Sequence, residues 1–294
     1  MKVGFIGVGH MGGPMCRNII KGGHDVVVFD LNAAAVKACT DLGAAPGSSV
    51  KDVASRVEVV MTSLPMPADV ERVALGPGGI AEGAKQGTIY VDLSTNSPKM
   101  VQHIARQLEP KGIPMIDAPV SGGVVGAEKG TIAIMVGGDK AIFEKCMPIF
   151  KSFGENITHV GKLGMGDVAK IVNNMVAFCN MAAGAEGLML GTMAGIDPQV
   201  LNDIIRNSSG NSMGYRGVAK KALSGDWSAT FALDLAYKDM HLALELADEL
   251  GVPLSLSPQA HNLMRMARGL GYGGEDTVAM ARVYETVMKR QIRG

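Results

Sequence analysis

The sequence of 294 residues is poor in aromatic residues and has no excess of either charge. Aromatic residues make up 4% of the chain, and tryptophan occurs once. Lysine and arginine total 28, and aspartate and glutamate also total 28, so the formal net charge is zero. A neutral chain lacks the general attraction to phosphate backbones on which nucleic-acid binding depends. We therefore expect no nucleic-acid partner.

Cysteines are also few. No two of them form a CxxC pair, and no nearby histidine pattern resembles a metal cage, so we expect neither a disulfide framework nor a bound metal. Isolated cysteines in a chain of this length are typical of a reducing compartment, and we predict a cytoplasmic protein. The four cysteines are Cys16, Cys39, Cys146 and Cys179.

Long apolar runs are missing as well. The N-terminal segment Met1–Gly7 is too short and too interrupted by glycine for the core of a signal peptide. The most membrane-like stretch, residues 175–194, contains Asn180, Glu186 and three glycines. Such a composition favours a helix buried in protein over a bilayer span, so we expect no membrane partner.

The hydrophobic content of 47% provides for a sizeable core, and its pattern changes along the chain. In the first half, short apolar runs alternate with helical segments such as Met11–Lys21 and Ser97–Leu108, the second with Ser97 as N-cap and Pro98 at the first helical position. This alternation predicts a parallel sheet covered on both faces. The predicted strands are Val3–Ile6, Val26–Phe29, Val57–Met61, Ile89–Val91, Met115–Ile116 and Ile132–Val136.

After about Gly164 the pattern predicts helices only. We place the domain boundary near residue 162 and expect a long helix from about Met165 to open the second domain. The predicted fold is thus an α/β Rossmann domain with a doubly wound parallel sheet, residues 1–162, followed by an all-α domain, residues 163–294. Its helical segments are 165–194, 198–207, 232–250, 256–269 and 276–290.

A glycine-rich turn links the first predicted strand to the first helix. It reads Gly7-Val8-Gly9-His10-Met11-Gly12, and Asp30 ends the second strand 23 residues after Gly7. This GxGxxG arrangement is typical of a dinucleotide site, in which helix amides face the pyrophosphate and the acid binds the adenosine ribose. A carboxylate repels a 2′-phosphate, so Asp30 favours NAD over NADP. The alternative is a merely tight turn, with Asp30 capping the next helix.

Two further strand ends fit the same site, because ligands of such sheets bind beyond the carboxyl ends of the strands. They are Ser63-Leu64-Pro65 and Asp92-Leu93-Ser94-Thr95. Thr95 is a candidate contact to the nicotinamide ribose. The alternative is that Ser94 or Thr95 only caps the following helix.

A lysine and two asparagines follow on the predicted long helix. Gly166, Lys170 and Asn174 are spaced i, i+4 and i+8 among apolar neighbours, and Asn173 lies beside them. A partly desolvated lysine releases its proton more easily and can act as a general acid or base on an alcohol or carbonyl. The alternative is a surface lysine beside an asparagine that caps the end of the helix.

Two other segments leave their function open. Ser121-Gly122-Gly123 offers a hydroxyl and glycine amides suited to a carboxylate, or it is a glycine-rich hairpin leading into Ile132–Val136. Asp234 and Lys238 have the i, i+4 spacing of a surface ion pair, although Lys238 is also a candidate for the cofactor cleft.

Taken in order, these residues resemble the 3-hydroxyacid dehydrogenase family, which includes 3-hydroxyisobutyrate dehydrogenases and tartronate semialdehyde reductases. The resemblance covers essentially the whole chain and rests on four motifs in register. They are the cofactor motif at 5–12, the substrate motif at 117–123, the catalytic motif at 166–174 and a late cofactor motif at Lys238-Asp239.

The resemblance implies roles for individual residues. It implies that Lys170 is the catalytic acid/base, that Thr95 and Lys238 contact the dinucleotide, and that the protein is a homodimer or homotetramer. It further implies a small-molecule carboxylate substrate, with the variable segment Ser208–Arg216 a candidate for substrate selection. The residues that it implies at the substrate are Ser121, Gly122, Gly123 and Asn174, with Phe231 and Asp239 near the site.

The sequence therefore predicts an NAD-dependent oxidoreductase that interconverts a short 3-hydroxy acid and its semialdehyde. Two alternatives stay open. One is a reductase of the same fold for another acceptor: 2-hydroxymethylglutarate, sulfolactaldehyde, succinic semialdehyde or glyoxylate. The other is a non-catalytic module that senses a dinucleotide, which the presence of Lys170 disfavours.

Overall fold

A computed structural model of the chain describes residues 1–293. The described chain divides into two compact units, Met1–Lys170 and a second that begins at Ile171. The first unit is built of strands and helices, and the second of helices. One long helix begins in the first unit and ends in the second.

The first unit contains the sheet. Most of its strands are short runs rich in β-branched residues, and those near its centre are buried on both faces, as the apolar patterns predicted. Its strands are β1 (Lys2–Ile6), β2 (Asp25–Phe29), β3 (Ala45–Pro46), β4 (Val59–Thr62), β5 (Ile89–Asp92), β6 (Met115–Asp117), β7 (Val120–Ser121), β8 (Ile132–Gly137) and β9 (Gly154–Gly161).

Helices separate most of these strands, and several begin at side chains that cap them. Ser97 accepts a hydrogen bond from the amide of Met100, and Pro98 stands at the first helical position, which confirms that prediction. The helices are α1 (Gly12–Lys21), α2 (Ala33–Thr40), α3 (Val50–Ser55), α4 (Pro67–Leu75), α5 (Ile80–Gly83), α6 (Pro98–Leu108), α7 (Gly123–Lys129), α8 (Lys140–Phe150) and the long α9 (Met165–Met193), with a 3₁₀ turn at Glu109–Lys111.

The strand order is β3-β2-β1-β4-β5-β6-β8-β7, with β9 paired to β8. The pairs from β3 to β6 are parallel, as is β8 with β9, so the sheet is mainly parallel as predicted. The sequence did not predict that β8 runs antiparallel to β6 and β7. The connection from Ser121 to Ile132 is shorter than the crossover of a dozen or more residues that a parallel return needs.

The two faces of the sheet are covered by separate hydrophobic clusters. Val59 and Met61 lie in one cluster, while Val60 between them lies in the other, as the alternation of side chains along a strand requires. Burial on both faces is the doubly wound arrangement that the sequence predicted. Because helices cover both faces of the sheet, functional side chains are expected at the carboxyl ends of the strands.

The second unit has no named strand among its described residues, and its two-residue contact between Ala232 and Asp276 is an isolated bridge. Its core contains Phe178, Leu233 and Met264. No helix among residues 1–293 is both long and apolar enough to cross a bilayer. Besides the end of α9, the unit contains α10 (Pro198–Arg206), α11 (Met213–Ser224), α12 (Leu233–Leu250), α13 (Ser257–Gly269), α14 (Arg282–Met288) and a 3₁₀ turn at Thr277–Ala281.

Candidate active site

The glycine-rich turn between β1 and α1 is as tight as its sequence predicts. Gly7 has φ +88°, and a Cβ placed there would lie 2.4 Å from the carbonyl oxygen of Ser63. A Cβ on Gly12 would lie 1.9 Å from the carbonyl oxygen of Gly7. A Cβ on Gly9, in contrast, would meet no atom within 4 Å. Gly7 and Gly12 are thus required by the turn itself, and Gly9 leaves open space beside the backbone.

That open space adjoins the start of α1. The N-cap residue Met11 makes no side-chain cap hydrogen bond, and the first turn of the helix contains no acidic residue. The positive end of the helix dipole is therefore not neutralised by a local side chain, a condition that suits a phosphate group. The neighbouring His10 is exposed and Met11 is half-buried. These residues fit the pyrophosphate of a dinucleotide.

Asp30 at the end of β2 is joined to the same turn. Its Oδ2 accepts a hydrogen bond from the amide of Val8 at 2.7 Å, and its Oδ1 accepts one from the amide of Asn32 at 2.8 Å. The cap of α2 is Asn32, whose side chain accepts from Ala34 and Ala35. The interpretation of Asp30 as a mere helix cap is therefore wrong.

The ends of β4 and β5 are tied together beside this turn. The hydroxyl of Ser94 accepts a hydrogen bond from the amide of Leu64 at 2.9 Å, and Pro65 next to it is exposed. The cap of the following helix is Ser97, so capping explains neither Ser94 nor the half-buried Thr95. Leu64, Pro65 and Thr95 thus follow strand ends of the same parallel sheet as Gly7 and Asp30.

Five fully buried polar side chains lie behind this edge: Thr62, Asp92, Asn96, Asp117 and Asp167. Asp92 Oδ1 accepts from the hydroxyl of Thr62 at 2.8 Å. Burial raises the pKa of Asp92 above its ordinary value and raises the pKa of Asp117 to about 6. Asp117 belongs to the motif at 117–123 and Asp167 to the motif at 166–174, but the sequence predicted no separate role for either residue. The sequence signals that could have revealed them are an aspartate at the end of a strand and an aspartate in the first turn of a helix.

Lys170 lies one turn after Asp167 on α9 and is 9% exposed. The helix continues through Asn173 and Asn174 to Met193. The alternative of a surface lysine beside a helix-ending asparagine is therefore wrong. Because α9 is continuous, Lys170 and Asn174 stand one turn apart on it.

The segment Ser121-Gly122-Gly123 has features of both a glycine-rich hairpin and a turn with exposed glycines. Ser121 ends β7 and pairs with Ala133 of β8, as in the hairpin interpretation. Gly122 and Gly123 then have φ values of +137° and +64°, and Gly123 opens the short helix α7. Both glycines are exposed, and a Cβ on Gly123 would meet no atom within 4 Å.

In the second unit, three of the candidate residues lie together. The Asn174 side-chain amide donates to Asp239 Oδ2 at 2.7 Å, and Lys238 Nζ lies 2.9 Å from Asp239 Oδ1. Phe231 stacks on Phe178 with ring centroids 6.4 Å apart. Asp234, proposed from its spacing as a partner of Lys238, pairs with Arg268 instead.

Two family models together match nearly the whole chain. Residues 2–161 match the model described as the NAD binding domain of 6-phosphogluconate dehydrogenase. Residues 164–284 match the model described as "NAD-binding of NADP-dependent 3-hydroxyisobutyrate dehydrogenase". The first match includes the glycine turn described above, and the second covers the helical part of the chain.

Curated relatives match over nearly their full length. The 2-(hydroxymethyl)glutarate dehydrogenase of Eubacterium barkeri is 43% identical over 100% of this chain and 98% of the relative. The NAD-dependent L-serine dehydrogenase of Pseudomonas aeruginosa is 35% identical over 97% of this chain and 98% of the relative. Among solved structures, a 3-hydroxyisobutyrate dehydrogenase from Salmonella typhimurium is 31% identical, with a TM-score of 0.89 over 96% of this chain and 99% of that one.

Proposed function

The chain belongs to the 3-hydroxyacid dehydrogenase family, and we propose that it interconverts a short 3-hydroxy acid and its semialdehyde with NAD as cofactor. The observation that carries the proposal is the burial of Lys170, which is 9% exposed on the helix that also bears Asn174. A lysine held out of bulk water on a long, continuous helix is suited to exchange a proton with a substrate oxygen.

Most of the cofactor residues come from the first unit. The open side of Gly9 and the amides at the start of α1 hold the pyrophosphate, with His10 and Met11 in the same turn. Asp30 binds the adenosine ribose and repels a 2′-phosphate, which favours NAD over NADP. Leu64, Pro65 and Thr95 contact the dinucleotide at the ends of β4 and β5, and the resemblance adds Lys238.

The chemistry that a bound nicotinamide supplies is acceptance and donation of a hydride. Lys170 carries the proton: its Nζ accepts the hydroxyl proton during oxidation and returns a proton to the carbonyl oxygen during reduction. A positive charge at Nζ also stabilises negative charge that develops on that oxygen. The family resemblance assigns Ser121, Gly122, Gly123 and Asn174 to the substrate carboxylate or hydroxyl, and Phe231 and Asp239 to the site.

The names of the relatives support the substrate class. The relatives from Eubacterium barkeri and Pseudomonas aeruginosa are named for 2-(hydroxymethyl)glutarate and L-serine. These compounds share a primary alcohol on the carbon β to a carboxylate, and 3-hydroxyisobutyrate shares it too. We propose that this group is what the protein recognises, with 2-(hydroxymethyl)glutarate as the first candidate to test.

The test is an absorbance assay of NADH against a panel of 3-hydroxy acids and semialdehydes. The wild-type protein should turn over at least one of them, and Lys170→Ala should lose turnover while still binding NADH. Lys151→Ala, which changes an exposed lysine of the first unit, should behave as wild type. Near-normal rates in Lys170→Ala would reject the assignment, and NADH binding without turnover of any compound would favour a dinucleotide sensor.

We propose in addition that the protein is a homo-oligomer and is located in the cytoplasm. The family resemblance supports a homodimer or homotetramer, and the four unbridged cysteines support a cytoplasmic location. Analytical ultracentrifugation of the purified protein tests the first, since a monomer at micromolar concentration would contradict it.

A further inference from the structure

The start of helix α9 is capped by a residue far away in the sequence. Asp117, at the end of β6, accepts hydrogen bonds from the amide of Gly164 through Oδ1 at 2.7 Å and from the amide of Asp167 through Oδ2 at 2.8 Å. The first amides of a helix have no partner within the helix and are usually satisfied by a neighbouring side chain. Here the cap comes from the sheet, so the hydrogen bonds join the helix to a strand.

Two glycines allow the helix to approach the sheet closely. A Cβ on Gly166 would lie 2.4 Å from the carbonyl oxygen of Met135 and 2.7 Å from Asp117 Oδ2. A Cβ on Gly137 would lie 2.5 Å from Asp117 Oδ1 and 2.8 Å from the amide nitrogen of Gly166. The first turn of α9 therefore rests on the strand backbone, with no space for a side chain between them.

A third hydrogen bond holds the same turn, and its donor follows a different strand. Asp167 Oδ1 accepts from the amide of Asn96 at 2.8 Å, just beyond β5. Asn96 and Asp167 are fully buried, as is Asp117. The first turn of α9 is thus fixed to the ends of β5 and β6, at two different points on the helix surface.

Fixing this turn also fixes Lys170, which follows Asp167 by three residues. Each residue of an α-helix adds 100° of rotation and about 1.5 Å of rise, so a small slip at the anchored turn moves the Lys170 ammonium by a similar distance. A misplacement of about 1 Å in an active site can lower the rate roughly 100-fold. The position of the anchor is therefore relevant to the reaction as well as to folding.

We propose that Asp117 is a positioning residue, whose two accepted hydrogen bonds set the rotation and height of α9 and so aim Lys170 at the substrate oxygen. The inference rests on the proposed function, in which Lys170 carries the proton. Asp117 itself contacts neither substrate nor cofactor in this scheme.

A carboxylate is needed for this role because two separate oxygens face two separate N–H donors. An asparagine supplies one oxygen and one NH₂ group, so one of the two amides would meet a donor instead of an acceptor. Burial opposes the charged form, and it raises the pKa of Asp117 to about 6. Keeping a carboxylate here despite that cost is consistent with a requirement for both acceptors.

The experiment compares Asp117→Asn with Asp139→Ala in the full-length protein. Asp139 caps α8 in the same unit by accepting from Ala141 and Ile142, so its loss removes a helix cap without touching α9. For each variant we would measure kcat for reduction, KM for the semialdehyde, NADH affinity, the primary deuterium isotope effect with labelled NADH, and amide hydrogen exchange in peptides covering residues 162–170.

Asp117→Asn should lower kcat at least tenfold and raise the isotope effect, with NADH affinity within twofold of wild type. Its amides at 164 and 167 should exchange faster. Asp139→Ala should lower the melting temperature while kcat stays within twofold of wild type. Unchanged exchange in Asp117→Asn, or a kcat equal to that of Asp139→Ala, overturns the inference.

A second variant covers the case in which Asp117→Asn does not fold. Asp167→Ala removes the hydrogen bond from Asn96 and leaves both bonds to Asp117 in place. It should lower kcat below that of wild type, by less than the tenfold expected for Asp117→Asn, and leave NADH affinity unchanged; full activity would count against the anchoring. If the wild-type protein turns over no member of the panel, the proposed function fails, whereas an active wild type with an equally active Asp117→Asn refutes the positioning role alone.

Discussion

The side-chain amide of Asn174 donates a 2.7 Å hydrogen bond to Asp239, and Asp239 also pairs with Lys238 at 2.9 Å. Asp239 is 1% exposed and Asn174 is 7% exposed, so both are held away from water. One carboxylate thus orients two of the residues assigned to substrate and cofactor.

Replacing Asp239 should therefore damage both stability and activity. Asp239→Ala removes one member of a buried charged pair, a change that typically costs about 3–5 kcal/mol of unfolding free energy. Urea denaturation of the full-length protein should show this loss of unfolding free energy. Steady-state kinetics should show at least a tenfold fall in kcat/KM. Asp248→Ala, at an exposed position of the same helix α12, is the control and should change neither. A fully active Asp239→Ala would show that the pair does not organise the site.

Asp30 should control the choice between NAD and NADP. Wild-type protein should use NADH more efficiently than NADPH, because the carboxylate repels a 2′-phosphate. Asp30→Ser should lower kcat/KM for NADH about tenfold or more, since hydrogen bonds to charged groups contribute roughly 1.5–3 kcal/mol. The preference should shift towards NADPH, whereas Asp25→Ser, at the exposed start of β2, should leave it unchanged. Equal efficiency with the two cofactors in the wild type would contradict the role of Asp30.

Gly12 should tolerate no side chain. In Gly12→Ala the new Cβ would fall 1.9 Å from the carbonyl oxygen of Gly7, so the turn must open. We expect NADH binding to be lost or weakened at least 100-fold in calorimetric titration. Gly187→Ala, within helix α9, is the matched control because its Cβ meets no atom within 4 Å, and it should stabilise the protein by about 1 kcal/mol. Normal NADH binding by Gly12→Ala would mean that the turn does not hold the cofactor.

The second unit should lose stability in acid because of His261. This residue is 4% exposed, and burial lowers its pKa to about 4, with Arg265, His241 and Arg268 adding to the effect. An unfolded histidine takes up a proton near pH 6.5. The stability from keeping His261 neutral is therefore present above pH 6.5 and lost as the pH falls towards 4.

Urea denaturation at a series of pH values between 7 and 4 measures this effect. The wild-type unfolding free energy should decline through that range more steeply than that of His261→Leu, which cannot take up the proton. Asp117 has the opposite sign, because its raised pKa makes stability increase as the pH falls through about 6. Asp117 is present in both proteins, so the difference between their unfolding free energies reports on His261 alone. If the two free energies change in parallel with pH, His261 does not contribute.

Most of the fold was predictable from local patterns. The central strands are apolar runs, and Ser97-Pro98 marks a helix start that the structure confirms. The antiparallel course of β8 was missed because strand direction depends on the length of the connection and on partners distant in sequence. Helix α11 (Met213–Ser224) was missed as well, since its glycines and the preceding Ser-Gly-Asn run weaken the helical signal.

The candidate site was predictable where spacing carries the information. The glycine turn, Asp30 and Lys170 all belong to short motifs with a mechanical reason for each position. The anchor at Asp117 was not predictable, because its partners Gly164 and Asp167 lie 47 and 50 residues further along the chain. The pairing of Asp234 with Arg268 was missed for the same reason, since helical spacing indicates only neighbours on one helix.

The glycines beneath α9 also limit how the enzyme can be redesigned. A mutant library that varies positions 137 and 166 would consist almost wholly of inactive members, because any larger residue meets backbone or Asp117 within 2.8 Å. Gly123, although its φ of +64° disfavours other residues, has open space around it. Substitutions meant to broaden the range of accepted substrates are therefore better directed at positions such as 123 than at positions 137 and 166 beneath α9.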